Sequence, residues 1–215
     1  MTSSAKVALV DYGSGNLRSV AKALERSGLT VVRASSPAEV DAADGVVLPG
    51  AGAFRDALDH LRAHGLDEAV LSAVSDGRPY LGLCLGLQVL FEEGDEHGPL
   101  PGLGYFKGRV ERLPESGPGK ERLLVPHIGW NRVRFRGDHP MVAELPESDD
   151  FYFVHSYRPV PSDPDLVAGL CEYGEEFVAA VARDSVFAVQ FHPEKSQQAG
   201  KRLIDAYARW VEKNR

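Results

Sequence analysis

Apolar positions along the chain alternate between two periods. Residues Lys6–Val10 form a short apolar run that ends at Asp11-Tyr12-Gly13-Ser14-Gly15, a strand followed by a tight turn. From Leu17 the apolar residues fall at Leu17, Val20, Ala21 and Leu24, the spacing of a helix face, and Gly28 stands where a helix C-cap would. The same reading predicts a strand over 30–33, a short helix over 37–43, and a strand over 45–48 that runs into Pro49-Gly50-Ala51-Gly52. Two helical stretches between 54 and 74 follow, broken near Gly65, and then a strand over 80–83, a sharp turn and a further helix. Strand and helix alternate over roughly the first 90 residues, which implies an α/β fold: a parallel sheet with helices on both faces.

The second half changes period. Gly-, Pro- and acid-rich loops occupy 94–104 and 115–119, and β-rich runs occupy 105–113, 123–135, 151–157, 177–182 and 186–191. Strands with hairpin-length spacers predict an antiparallel extension of the sheet. A closing helix has Ser196 as N-cap and Leu203, Tyr207, Trp210 and Val211 as its buried stripe. No repeat, low-complexity tract or linker divides the chain, so the expectation is one domain over 1–215, with 1–5 frayed.

Composition narrows the class. The 215 residues are 43% hydrophobic and 26% charged, as in an ordinary globular protein. A net charge of -7 with scattered Lys and Arg argues against a nucleic-acid partner. Two cysteines, Cys84 and Cys171, exclude a disulfide framework and suit a reducing compartment. The N-terminus lacks a signal-peptide pattern and no apolar run approaches the ~18 residues that span a bilayer. The expected location is the cytoplasm, without membrane contact.

The chemistry centres on Gly82-Leu83-Cys84-Leu85-Gly86. An apolar strand that ends in Gly-x-Cys-x-Gly before helix formers has the layout of a nucleophile elbow carrying a thiol. The glycines allow a tight turn, and the N-terminal N–H groups of the following helix favour the thiolate. An inert core thiol is the alternative, and for Cys171 it is the simplest reading. A base and its orienter stand in Phe191-His192-Pro193-Glu194, where residues two apart on a strand share a face. His155 is a rival base without a carboxylate two residues away, while His60, His64, His97 and His139 read as surface residues. The alternative for the His192–Glu194 pair is a solvated strand end. Acyl transfer also needs two oxyanion donors: the Leu85 N–H, directly after the nucleophile, and the Gly50–Ala51 backbone after the neighbouring strand. No spacing of His, Cys, Asp and Glu suggests a metal. Gly13-Ser14-Gly15 begins like a dinucleotide fingerprint, but Arg18 occupies the third glycine position and the match fails.

Together, Gly82-Leu83-Cys84-Leu85-Gly86 and His192-Pro193-Glu194 resemble the class I glutamine amidotransferases, which hydrolyse glutamine through a Cys–His–Glu triad. Further blocks narrow the resemblance to the glutaminase subunits of imidazole glycerol phosphate synthases. These are Asp11 to Leu17, Leu48 to Phe54, Pro126 to Asn131, Phe153 to Tyr157, and Phe191 to Ser196. The resemblance implies a flavodoxin-like domain that uses no cofactor. It also implies a heterodimer with a (β/α)₈-barrel cyclase subunit, to which ammonia passes for histidine biosynthesis. It assigns Gly52, Gln88, His155, Ser156 and Tyr157 to the glutamine substrate, and Trp130, Asn131, Tyr152 and Lys195 to the subunit interface. Ala51 departs from the bulkier valine common in relatives. Other readings are a glutaminase serving anthranilate or pyridoxal phosphate synthesis, an α/β-hydrolase-type thiol enzyme, and a non-catalytic binding subunit. The Asp11 to Leu17 and Pro126 to Asn131 blocks argue against the first, and the acid following the histidine by two against the second. The intact Cys84, His192 and Glu194 argue against the third.

Overall fold

The computed structural model describes residues 4–96, 98–119 and 122–215. Residues 1–3 of the expected frayed leader, and His97, lie outside the described residues. In chain order the first half contains β1 (Lys6–Val10), α1 (Leu17–Arg26), β2 (Thr30–Ala34), α2 (Pro37–Asp41), β3 (Gly45–Leu48), α3 (Phe54–Ala63), α4 (Leu66–Ser75), β4 (Tyr80–Leu83) and α5 (Leu85–Gln88). The second half contains β5 (Phe91–Gly94), β6 (Leu100–Pro101), β7 (Phe106–Arg112), β8 (His127–Phe135), α6 (Pro140–Ala143), β9 (Ser148–His155), β10 (Tyr157–Pro161), β11 (Val167–Tyr173), β12 (Glu175–Arg183), β13 (Val186–Val189) and α7 (Gln197–Lys213).

The main sheet runs β2-β1-β3-β4-β13-β12-β11-β8-β9. Its first five strands are parallel and the rest antiparallel. Strands β3, β4 and β13 are buried at every residue, which is why they read as unbroken apolar runs rather than alternating ones. Helix α1 buries Val20, Ala21 and Leu24 as its spacing requires, and Gly65 separates α3 from α4 in a left-handed conformation, φ 65°. On α7, Tyr207 donates its hydroxyl proton toward the carbonyls of Val46 and Pro79, at 3.0 and 3.1 Å, tying the last helix to the parallel strands.

Several expectations need correction. Ala5 is not frayed: it is buried, its N–H donates to Glu212 Oε1 at 2.7 Å, and its carbonyl accepts from Thr30 N–H at 2.8 Å. The run over 151–157 is two strands, because the chain leaves the main sheet at Ser156 and β10 joins a second sheet of order β10-β7-β5-β6. Strands β5, β6 and β11 were not predicted. β11 hides behind Gly169, a small residue where the register against β12 shifts and where a Cβ would lie 3.0 Å from that of Ala180. Ser196 stands at the N-cap of α7 without capping it. Its hydroxyl donates to the His192 carbonyl at 2.6 Å and accepts from Tyr152 N–H at 3.0 Å. His139 is half-buried against Phe187 and Trp210 rather than on the open surface, while His60 and His64 are exposed.

Candidate active site

The parallel pairing of β4 with β13 sets Leu83 beside Val189, so two strand ends deliver Cys84 and His192 to one place. Cys84 sits at φ 52°, ψ -101°, a strained conformation for a residue with a side chain. Its N–H donates to Val189 O at 2.8 Å, and its carbonyl accepts from the N–H groups of Leu87 and Gln88 at 3.0 and 3.2 Å. The turn is possible because Gly86 lies flat on β3: a Cβ there would meet Leu48 O at 1.9 Å. Beneath it the buried Tyr80 hydroxyl donates to Gly86 O at 2.7 Å. The helix expected after the elbow is a single turn, α5, so its field at the sulfur comes from a few first-turn N–H groups rather than a long macrodipole. The first of those, Leu85 N–H, has no intrahelical acceptor by construction.

His192 is fixed by its backbone. Its N–H donates to Tyr152 O at 2.9 Å, and its carbonyl receives Lys195 N–H at 3.0 Å. Residues Pro193–Lys195 form a 3₁₀ turn rather than a strand end, and the predicted pairing is made within that turn. His192 Nδ1 lies 3.0 Å from Glu194 Oε1, with side chains only 8% and 2% exposed. A carboxylate can only accept, so Nδ1 carries a proton and Nε2 is the nitrogen left to exchange one with Cys84. Nε2 is buried and stands beside Cys84, which acts on the ring both as a hydrogen-bond partner and as a charge. Burial opposes the imidazolium, but the neighbouring Cys84 and Glu194 outweigh it and raise the His192 pKa to about 9.

His155, the rival base, is spent. Its Nδ1 donates to Tyr157 O at 2.9 Å and its Nε2 accepts from His127 Nδ1 at 3.0 Å. Burial pushes its pKa down to about 3 and that of His127 down to about 4, so both rings are neutral.

Cys84 and His192 open into a cavity of about 330 Å³ lined also by Ala51, Gly52, Leu85, Gln88, Glu96, Pro126, Val154, His155, Ser156, Tyr157 and Lys195. Every residue expected to touch substrate lines it. Gly50 does not: it packs behind the elbow, where a Cβ would fall 2.3 Å from Leu85 Cβ. The Ala51 carbonyl accepts from the Ser14 hydroxyl at 2.7 Å, so the Asp11 to Leu17 block buttresses the Gly50–Ala51 segment. Two site residues escaped the sequence reading. Glu96, in an acidic stretch with no periodic signal, accepts from Phe54 N–H at 2.5 Å through Oε2. Gln190, fully buried, places Nε2 3.4 Å from Cys84 Sγ; its position two before His192 in the strand predicted over 186–191 was the available signal. A second cavity of about 320 Å³ beside β10 and β12 holds no nucleophile. Among the described residues no His, Cys, Asp and Glu group could hold a metal ion, and no helix is long and apolar enough to cross a membrane. Cys171 is buried, and that burial raises its thiol pKa to about 12.

Trp130, Ile128 and Leu124 are exposed, at 49%, 60% and 69%. Trp130 meets Tyr152 edge-on at 6.1 Å, and Lys195 Nζ lies 5.8 Å from the Tyr152 ring centroid. Asn131 parts from this group. As the next residue along β8 it turns to the other face, and its Nδ2 donates to Glu172 O at 2.7 Å.

The family model "Glutamine amidotransferase class-I" matches residues 8–207. The chain is 50% identical over 209 residues to "Imidazole glycerol phosphate synthase subunit HisH" of Dechloromonas aromatica (strain RCB), covering 95% of this chain and 96% of the relative. A protein of the same description from Methylococcus capsulatus is 49% identical, with 95% and 96% covered. Among solved structures, "Structure of PurLQS from Thermotoga maritima" aligns at TM-score 0.76 and 19% identity over 97% of this chain and 99% of that one. "Crystal structure of glutamine amidotransferase" aligns at 0.73 and 20% over 96% and 98%. At such identities these two likenesses speak to the fold, which is the α/β fold expected.

Proposed function

The chain belongs to the class-I glutamine amidotransferase family, and from that premise we propose that it hydrolyses L-glutamine to glutamate and ammonia as a subunit of an imidazole glycerol phosphate synthase. The ammonia goes to a cyclase subunit that forms imidazole glycerol phosphate and AICAR in histidine biosynthesis. The observation that carries the chemistry is a buried His192, oriented at 3.0 Å by Glu194, beside a strained Cys84 in the wall of a cavity of about 330 Å³.

His192 Nε2 takes the Cys84 proton, and the thiolate attacks the side-chain amide carbon of glutamine. The carbonyl electrons move to oxygen, where the backbone N–H groups of Leu85 and Ala51, both on the cavity wall, receive them. As the tetrahedral adduct collapses, the C–N bond breaks and His192 returns the proton to the departing ammonia. Water, deprotonated by His192, then cleaves the γ-glutamyl thioester to glutamate and regenerates the thiol. Glu96 offers a carboxylate to the substrate α-ammonium. Both Gln88 amide protons are engaged, at 3.0 Å each, so its oxygen is the group left for substrate.

The chain works as one domain in a heterodimer with a (β/α)₈-barrel cyclase. Trp130, Tyr152 and Lys195, with Ile128 and Leu124, supply an apolar and cationic face for that partner. The test is glutamate release from glutamine with and without the cyclase subunit and its nucleotide ligand. The expected result is low release alone, strong stimulation in the complex, and none from Cys84→Ala. Full activity from the isolated chain, unchanged by the partner, contradicts it.

A further inference from the structure

A continuous line of hydrogen bonds ends on the nucleophile. It starts at Asn131, whose Nδ2 lies 3.5 Å from His127 Nε2. His127 Nδ1 meets His155 Nε2 at 3.0 Å, and His155 Nδ1 meets Tyr157 O at 2.9 Å. The same carbonyl accepts from Gln88 Nε2 at 3.0 Å, and that nitrogen donates its second proton to Gln190 Oε1 at 3.0 Å. Gln190 Nε2 then stands 3.4 Å from Cys84 Sγ.

The direction of this line follows from chemistry at its fixed point. The Tyr157 carbonyl can only accept, so Gln88 must turn its NH₂ toward it and His155 must carry its proton on Nδ1. His155 Nε2 is then an acceptor, and His127 must be protonated on Nδ1. Gln88 has one remaining proton, which obliges Gln190 to present oxygen to it. The Gln190 NH₂ is left with one direction, toward the sulfur. His127 is clamped between the rings of Tyr173 and Phe153, at 4.0 and 4.9 Å, so that end of the line is rigid.

We infer that Gln190 is a further catalytic residue, a neutral amide donor that holds the Cys84 thiolate in the attacking state, and that Gln88, fixed by the Tyr157 carbonyl, is the positioning residue that keeps its NH₂ aimed at the sulfur. This rests on Cys84 being the nucleophile. A neutral donor stabilises the anion without competing for its proton, and it leaves His192 free to serve the leaving group. His192, from the segment after β13, and Tyr12, from the turn after β1, feel the charge of the sulfur, and Glu96, His155, Tyr157 and Lys195 line the same cavity. The two rings of the relay stay neutral across the working range, so its direction does not change with pH.

The experiment is the pH dependence of iodoacetamide alkylation of Cys84 in the full chain, mapped by peptide mass to separate it from Cys171. Gln190→Met keeps the shape and removes the donor, and its alkylation midpoint rises by about one pH unit against wild type. Gln190→Glu sets an anion against the sulfur and raises the midpoint further. In the cyclase complex Gln190→Met lowers kcat for glutamine about tenfold with little change in KM. Should Gln190→Met not fold, Gln88→Met frees the same amide and carries the same expected rise. Superimposable alkylation profiles for wild type and the variants overturn the inference while leaving the glutaminase reading standing. A wild-type Cys84 no more reactive than Cys171, with no glutamine hydrolysis in the complex, overturns both.

Discussion

Replacing Glu194 with Gln keeps the shape of the side chain and removes its charge. The contact it alters is His192 Nδ1 to Glu194 Oε1, 3.0 Å long, between side chains 8% and 2% exposed. Solvent cannot screen a pair so buried, and a hydrogen bond between charged partners contributes about 1.5–3 kcal/mol. At 1.36 kcal/mol per tenfold, that is a loss of roughly 10- to 150-fold in kcat/KM. The pH profile adds a directional check. Cys84 and Glu194 together raise His192 against its burial, to about 9. Without the carboxylate the imidazolium is lost at lower pH, so the alkaline limb of the rate profile moves acidward. The assay is glutamate release from the cyclase complex between pH 6 and 10, with circular dichroism to establish that the variant is folded. A folded Glu194→Gln protein with an unmoved alkaline limb and nearly full activity would refute the role given to Glu194.

Three further outcomes follow from the same structure. Gly86→Ala drives a methyl to 1.9 Å from Leu48 O, a backbone atom that cannot step aside, and should destabilise the fold by at least about 2 kcal/mol in urea titration. Trp130→Ala, on a ring 49% exposed, should leave the melting temperature of the free chain within a few degrees while weakening cyclase binding at least about tenfold by calorimetry. His127 and His155 have folded pKa values depressed to about 4 and about 3, against about 6.5 when unfolded. The unfolded chain therefore binds more protons, and stability falls as pH drops from about 6.5 toward those values, by up to about 1.4 kcal/mol per pH unit for each histidine. Unfolding free energies measured from pH 7 to 4 should show a shallower slope in His127→Phe; equal slopes would contradict the buried neutral pair.

The parallel half of the fold was legible because its strands are short, apolar and punctuated: Gly28 and Gly65 follow real helices, and the Gly82/Gly86 pair brackets the turn between β4 and α5. The antiparallel half was legible as β but not as topology. Nothing local tells that the chain changes sheets at Ser156, or that the glycine-interrupted β11 pairs with both β8 and β12. At the site, Cys84, His192 and Glu194 were readable because their chemistry demands a spacing. Glu96 was not, since an acid in an acidic loop carries no period, and Gln190 was passed over because an amide on an apolar strand resembles a satisfied core polar group. The inward turn of Asn131, next to the outward Trp130, is plain strand alternation that a motif-level reading blurs.

In the proposed mechanism everything turns on the attack of Cys84 on glutamine. Acid-quenching the cyclase complex during turnover and mapping acylated peptides by mass spectrometry tests it directly. The expected result is a γ-glutamyl thioester on Cys84, none on Cys171, and loss of glutamate release in Cys84→Ala. An adduct on another residue, or glutamate release that survives Cys84→Ala, would contradict it.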